Sequence, residues 1–147
     1  MNHINKICFA YPTAFREGLS KEETCIPSPL LSGVTIGKMQ NLIVNVGLMI
    51  TLSRRIHINV EVNPFGQDTL VDRAQGDGKF ENLKTHILEG GQAVALTSLL
   101  LEDVLFEKSG EYEIDVKLFE SSDDGKKTDT TIDHYRSYFY VLAQDPE

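Results

Sequence analysis

The feature that most constrains this chain is a two-residue alternation of apolar side chains, which recurs from residue 42 almost to the C-terminus. Its first run puts six aliphatic side chains on one face of an extended segment: Leu42, Val44, Val46, Leu48, Ile50 and Leu52. A period of two is typical of β-strands that bury one face. Gly47 and the β-branched residues around it disfavour a helix here, because they lower helix propensity.

The same alternation predicts further strands over residues 56–62, 83–88, 93–101, 112–118 and 133–143. Turn signals separate several of them, including Asn63-Pro64-Phe65-Gly66, Glu89-Gly90-Gly91 and Asp124-Gly125. Residues 72–82 are mostly polar and are predicted to form a surface loop. Because strands and turns alternate without a strong helix signal, we expect an all-β sandwich or barrel.

The N-terminal part of the chain differs from the rest. Residues 1–38 hold three of the five prolines (Pro12, Pro27 and Pro29) and lack a long alternating run. This pattern predicts an edge strand followed by an irregular arm. Residues 39–147 are expected to form the sandwich core, and the length of 147 residues is that of a single domain.

One segment carries a resemblance to a known fold. It reads Leu99-x-Leu101-x-x-Val104-x-x-x-x-Ser109-Gly110-x-Tyr112-x-Ile114-x-Val116. This pattern resembles the passage from strand E to strand F of immunoglobulin-like domains. The resemblance implies an immunoglobulin-like sandwich of about seven to nine mostly antiparallel strands. It also implies a structural corner at Ser109, Gly110 and Tyr112, where the tyrosine hydroxyl bonds back to the backbone.

The chain departs from antibody-type domains in three ways. Lys108 stands where an acidic residue is usual, Ile114 stands at the place of the second cysteine, and the sequence has no tryptophan. The chain is also similar to small bacterial and phage-type all-β proteins that carry a Gly-x-Tyr-x-apolar-x-apolar strand near the C-terminus. A resemblance of this kind implies a fold and no particular function. The alternative is that Gly110-Glu111-Tyr112 begins an ordinary hairpin with an outward tyrosine.

Charge excludes two classes of partner. The 22 acidic residues exceed the 14 lysines and arginines and give a net charge of −8. Nucleic acids and anionic membranes both need a cationic face, so neither is an expected partner. No secretory signal precedes Pro12, and the apolar run 42–52 is about half of what a membrane helix requires. We therefore expect a cytoplasmic protein in which Cys8 and Cys25 stay reduced.

No catalytic motif is present in the sequence, so neither an enzyme nor a cofactor is predicted. The four histidines lack metal spacing, and the common nucleophile and phosphate-loop patterns are missing. Asp123, Asp124 and Asp129 cluster in one hairpin loop and are a candidate calcium site. A solvated turn is the favoured interpretation, because Lys126 and Lys127 lie inside the cluster.

The last strand is rich in aromatic residues and supplies the candidate interface, formed by Tyr135, Tyr138, Phe139 and Tyr140. Alternation places Tyr138 and Tyr140 on one face and Tyr135 and Phe139 on the other, and one face must fill the core. The other face suits protein recognition if it is open. The favoured expectation is that residues 4–15 cover it as an added strand.

These patterns lead to three hypotheses about function. The first is a non-catalytic binding or assembly module that contacts another protein, or a second copy of itself, through a strand edge, the aromatic strand or the end loops. The second is an acidic immunity or inhibitor protein for a basic toxin or nucleic-acid enzyme. The third is a calcium or ligand binder, or an enzyme with dispersed residues such as His57 and His134.

Overall fold

The alternating runs fold as strands in the computed structural model, which describes residues 4–53, 55–66, 75–76 and 80–145. The described residues form nine strands: β1 (Lys6–Ala14), β2 (Leu30–Thr35), β3 (Met39–Thr51), β4 (Ile56–Pro64), β5 (Gln75–Gly76), β6 (Phe80–Ile87), β7 (Gln92–Leu105), β8 (Gly110–Ser121) and β9 (Lys127–Gln144). They also include one helical turn, α1 (Lys21–Thr24), and a 3₁₀ turn at Glu89–Gly91. No helix in these ranges is long and apolar enough to cross a membrane.

The strands form two sheets. Sheet one has the order β1-β3-β7-β6, and sheet two has the order β2-β9-β8-β4-β5. All pairs are antiparallel except β2 and β9, which run parallel. The predicted fold class, a mostly antiparallel all-β sandwich, is confirmed.

The core lies between the sheets and consists of the inward residues of the alternating runs. Sheet one contributes Ile7, Leu42, Val44, Val46, Leu48, Leu99 and Leu101, and sheet two contributes Val60, Val62, Ile114, Val116, Leu118, Phe139 and Val141. Each of these side chains is nearly or fully buried. Burial of an aliphatic side chain contributes about 1.5–3 kcal/mol, so the alternation itself specifies which face of each strand points inward.

Two strands from the first 38 residues, β1 and β2, belong to different sheets. β1 pairs with β3 from Lys6–Met49 to Ala14–Leu42 and forms one edge of sheet one. β2 pairs with β9 and forms one edge of sheet two. The buried residues Leu31 and Val34 place β2 in the core. The sequence predicted the edge strand, but β2 was missed because its six residues include Ser32 and Gly33, which obscure the alternation.

Side chains of β9 close the free edge of β1. The Asp133 carboxylate accepts hydrogen bonds from the Ile7 N–H at 2.8 Å and from the Lys6 ammonium at 3.1 Å. The Ser137 hydroxyl donates to the Ala10 carbonyl at 2.7 Å. Partial burial alone would raise the pKa of Asp133, but the bonds from Ile7 and Lys6 outweigh it and hold that pKa below its usual value.

Replacing Asp133 by alanine is expected to lower the free energy of unfolding by about 1–2 kcal/mol at pH 7, because it leaves the Ile7 N–H without its acceptor. The folded-state pKa of Asp133 lies below the unfolded value, so its contribution is complete above about pH 4 and is lost as the pH falls through the folded value. Urea unfolding of both proteins should therefore show a difference that shrinks below pH 4. The exposed Asp129→Ala is the matched control, and a difference that stays constant with pH would contradict the assignment.

The outward face of sheet one carries a buried polar cluster around Asn45, which is fully buried. Its amide nitrogen donates to the Tyr11 carbonyl at 3.3 Å and to the Thr13 hydroxyl at 2.9 Å. Its amide oxygen accepts from the Ser98 hydroxyl at 2.6 Å. Asn45 therefore joins β1, β3 and β7 through side-chain contacts as well as through the sheet.

The segment that follows β1 covers this cluster. The Tyr11 hydroxyl donates to the carbonyl of Thr24, the last residue of α1, at 2.9 Å. Burial raises the pKa of Tyr11, so the hydroxyl keeps its proton and remains a donor. Phe15, Leu19 and Thr24 line a pocket together with residues of the sheet beneath them. This segment is the part of the N-terminal region that lies over the sandwich.

Candidate protein-binding surface

The corner before β8 fixes how β8 and β9 face the core. Tyr112 is 2% exposed, and its hydroxyl donates to the Lys108 carbonyl at 2.7 Å. Its ring packs edge-on against Phe106 and stacks with Phe139, at centroid distances of 5.2 and 5.8 Å. Burial raises the pKa of Tyr112, and the nearby Glu107 carboxylate adds to this, so the hydroxyl stays protonated and keeps its bond.

The same corner holds the end of β9 against the start of β8. The Ser109 hydroxyl accepts a hydrogen bond from the Ala143 N–H at 2.9 Å. Gly110 pairs with Val141 and has a φ of +141°, in the region that favours glycine. Ser109 and Gly110 thus join the start of β8 to the end of the aromatic strand. This local arrangement does not by itself assign the chain to a family, and the resemblance to antibody-type or phage-type proteins stays a prediction.

With that register, the four aromatic residues of β9 separate into two pairs. Phe139 is 4% exposed and lies in the core, and Tyr135 is half-buried and packs against the core. Both were predicted as interface residues. Instead, Phe139 belongs to the core and Tyr135 packs against it, because their side of β9 faces the interior of the sandwich. Tyr138 and Tyr140 point outward and are 54% and 45% exposed.

The N-terminal strand does not cover the outward tyrosines. The expected cover was an added strand from residues 4–15, but those residues pair with β3 in the other sheet. This prediction is wrong, because β1 extends sheet one as the neighbour of β3. The neighbour of β9 on that side is β2, which adds to the edge of the sheet and leaves its outer face open.

Five exposed apolar side chains form one surface on the outer face of sheet two, which we call the aromatic patch: Leu30, Phe65, Tyr138, Tyr140 and Leu142. Leu30 lies opposite Tyr140 in the β2–β9 pair. Phe65 follows β4, where its N–H donates to the Glu111 carbonyl at 2.9 Å. The rings of Phe65 and Tyr138 meet at 5.5 Å with their planes at 73°. Each of the five side chains is 45–55% exposed.

Leu30 and Phe65 were not among the sequence candidates. Both follow a turn proline, Pro29 and Pro64, and neither belongs to an alternating run of its own. The available signal was a large apolar residue directly after a proline, next to turn or loop residues that are usually polar. Their proximity to β9 depends on strand order, which the local sequence does not contain.

A charged ladder continues from the aromatic patch along the same face. Asp115 is 7% exposed, and its carboxylate contacts His134 Nε2 at 2.8 Å and Arg136 Nε at 3.1 Å. Arg136 also lies 3.6 Å from Glu113. The hydrogen bond and charge of Asp115 raise the pKa of Arg136, which stays charged in either case. These contacts hold the side chains of the ladder in place beside the patch.

The acidic hairpin loop forms a tight turn over residues 122–126. Gly125 donates to the Ser122 carbonyl at 2.9 Å with a φ of +84°, which glycine accommodates. The Asp124 carboxylate accepts from the Ser122 hydroxyl and the Lys126 N–H, which hold its pKa below the usual value. Within the described ranges, no group of three or more His, Cys, Asp or Glu side chains is placed to hold a metal ion. Calcium binding by Asp123, Asp124 and Asp129 stays a prediction without geometric support.

An apolar groove lies on the outer face of sheet one. Its floor is Gly47, and the Phe9 ring lies so close that a Cβ at position 47 would be 2.5 Å from ring carbons. Cys8, Val94 and His86 line the rest of a cavity of about 440 Å³. The Phe9 ring fills the space that a side chain at position 47 would occupy, so this groove is part of how β1 packs on β3.

The chain was compared with protein families and with curated proteins. No family model matches it, and no curated protein matches it. The functional assignment therefore depends on the geometry of the surfaces described above.

Proposed function

We propose that this protein is a non-catalytic binding or assembly module that contacts another protein through the aromatic patch. The observation that carries the proposal is the grouping of five large apolar side chains, each about half exposed, on one face of sheet two. Contiguous exposed apolar surface is costly in water and commonly marks an interaction site. Tyrosine suits such a site because it combines a large apolar ring with a polar hydroxyl.

Self-association is the simplest form of this proposal, since two patches related by a twofold axis would cover each other. A partner protein of a different sequence is the other form. The two cysteines are unpaired in the structure, which is consistent with the cytoplasmic setting proposed from the sequence. Neither nucleic acid nor a membrane is a proposed partner, because the net charge of −8 opposes both.

An acidic inhibitor is a less supported alternative. Such a protein is expected to gather its unpaired carboxylates on one face. Here several described carboxylates are paired internally, as Asp133 is with Lys6 and Glu23 is with Arg16. Other described carboxylates lie in different parts of the fold, such as Glu22 in α1, Glu89 in the 3₁₀ turn and Glu111 on β8. This distribution favours the patch over a single acidic face as the contact surface.

A site-specific photo-crosslinker tests the proposed function. Placed at Tyr140 in the cell that makes the protein, it is expected to give a discrete adduct on illumination. The same crosslinker at Ile87, which is 65% exposed on the other sheet, is the matched control and should not give that adduct. Sedimentation of the pure protein then shows whether the 16.5 kDa chain forms a dimer, and therefore whether the crosslinked partner is a second copy of it.

The proposal requires that the Tyr140 adduct depends on the other side chains of the aromatic patch. Adding Tyr138→Ser and Leu142→Ser should remove the adduct, because these substitutions replace two of the five apolar side chains while leaving the core intact. The proposal is overturned if both crosslinker positions give the same products, or if the double variant leaves the Tyr140 adduct unchanged.

A further inference from the structure

The part of the aromatic patch nearest to the corner has a floor made of hydrogen-bond acceptors. On β8, Glu111 lies opposite Tyr140 of β9 and beside Phe65 of β4, and Glu113 lies opposite Tyr138 and Asn63. Directly opposite residues on neighbouring strands have Cβ atoms about 5 Å apart. Glu111 therefore has an aromatic residue on both sides, whereas Glu113 has one only on the side of β9.

The two carboxylates differ in whether another charged side chain already contacts them. The Glu113 side chain is 17% exposed and lies 3.6 Å from Arg136. Glu111 is exposed, and within the part of the chain that the structure describes its carboxylate has no ion-pair partner. Glu111 thus offers a free negative charge between the rings of Phe65 and Tyr140.

Asn63 adds an independent sign that a hydrogen-bond donor is missing from this region. It is 8% exposed on the outward side of β4, two residues before Phe65, and its Oδ1 has no hydrogen-bond partner among the described residues. Leaving a buried acceptor unpaired costs about 1–3 kcal/mol. The groups gathered here are two carboxylates, one amide oxygen and the faces of three aromatic rings, and all of them attract a cation that carries N–H donors.

We infer that the patch recognises a basic side chain of the partner, with an arginine as the best fit, inserted between Phe65 and Tyr140 against Glu111. This inference depends on the proposed function and names the chemistry of its partner. A guanidinium is planar, stacks on aromatic rings and presents five donors to carboxylate and amide oxygens. The net charge of −8 also favours the approach of a basic segment.

Peptide titration followed by ¹H–¹⁵N NMR tests the inference. The probes are acetylated and amidated hexa-arginine and hexa-citrulline, which have nearly the same shape but differ in charge. Hexa-arginine is expected to shift the amides of residues 110–113 and 138–141, and hexa-citrulline should leave them unchanged. Glu111→Gln should weaken hexa-arginine binding about threefold to fivefold, the size of one exposed ion pair.

Two further variants separate specific recognition from general attraction. Glu89→Gln removes the same charge from the 3₁₀ turn beside the other sheet and should leave binding unchanged. Tyr140→Leu keeps an apolar side chain but removes the ring face, and should weaken binding about twofold to fivefold. Equal weakening by Glu111→Gln and Glu89→Gln, or no binding at the patch, overturns the inference.

The outcome for hexa-citrulline distinguishes this inference from the proposed function. If hexa-citrulline binds the patch as well as hexa-arginine does, the arginine inference is wrong and the protein-binding proposal stands. If the crosslinker at Tyr140 gives no patch-dependent adduct, the protein-binding proposal is wrong whatever the peptides do.

Discussion

Replacing Tyr112 by alanine is expected to lower the free energy of unfolding by about 3–5 kcal/mol, the largest effect of any substitution considered for this protein. The ring is almost fully buried between Phe106 and Phe139, so its removal leaves a cavity at the point where the two sheets meet. The Lys108 carbonyl also loses its donor. Equilibrium urea unfolding measures the change.

Tyr112→Phe separates the two contributions. It keeps the ring and removes only the hydroxyl, so we expect a loss of about 1–2 kcal/mol from the unpaired Lys108 carbonyl. The exposed Tyr138→Phe is the matched control and should change stability by less than about 0.5 kcal/mol. If Tyr112→Phe is as stable as the unchanged protein, the corner hydrogen bond makes no net contribution and Tyr112 acts through packing alone.

Replacing Asn45 by alanine is expected to lower the free energy of unfolding by about 2–3 kcal/mol. The substitution removes the partner of the Ser98 hydroxyl and of the Tyr11 carbonyl in a place that water does not reach. Each buried group left unpaired costs about 1–3 kcal/mol. The expected loss is smaller than the sum of these two costs, because the Ser98 hydroxyl can partly reorient. Thermal or urea unfolding measures this change directly.

Coupling between Asn45 and Ser98 provides a sharper test. Ser98→Ala should cost less once Asn45 has been replaced, because the bond between them has already been lost. Asn59→Ala, on the outward side of β4, is the matched control and should be close to neutral. If the two substitutions are additive, the 2.6 Å contact between Ser98 and Asn45 does not stabilise the fold.

Alternation predicted the strands well because burial of one face is a local property of the sequence. The run from Leu42 to Ile50 and the run from Ile56 are the inward faces of β3 and β4, as their spacing indicated. Leu52, the last residue of the first run, lies beyond β3 and is exposed. Alternation did not predict that a residue on the outward face of β3 would also be buried. Asn45 is buried there through contacts with Thr13 and Ser98, which are distant in sequence, so no local pattern could have identified it.

The candidate surface was only partly predictable for a similar reason. The sequence indicated that Tyr138 and Tyr140 share a face, but it could not decide which face of β9 is inward or whether β1 covers it. Those answers depend on strand order. Leu30 and Phe65 join the patch because β2 and β4 lie on either side of the β8–β9 pair, and that arrangement arises from long-range pairing.

The parallel pairing of β2 with β9 has a mechanical consequence. The chain enters this pair at Leu30, opposite Tyr140, and leaves it at Gln144, opposite Thr35. Tension applied between Leu30 and Gln144 would therefore pull these strands lengthwise past each other. All of the hydrogen bonds between them would then be loaded together in shear, instead of being opened one after another as when a hairpin is unzipped.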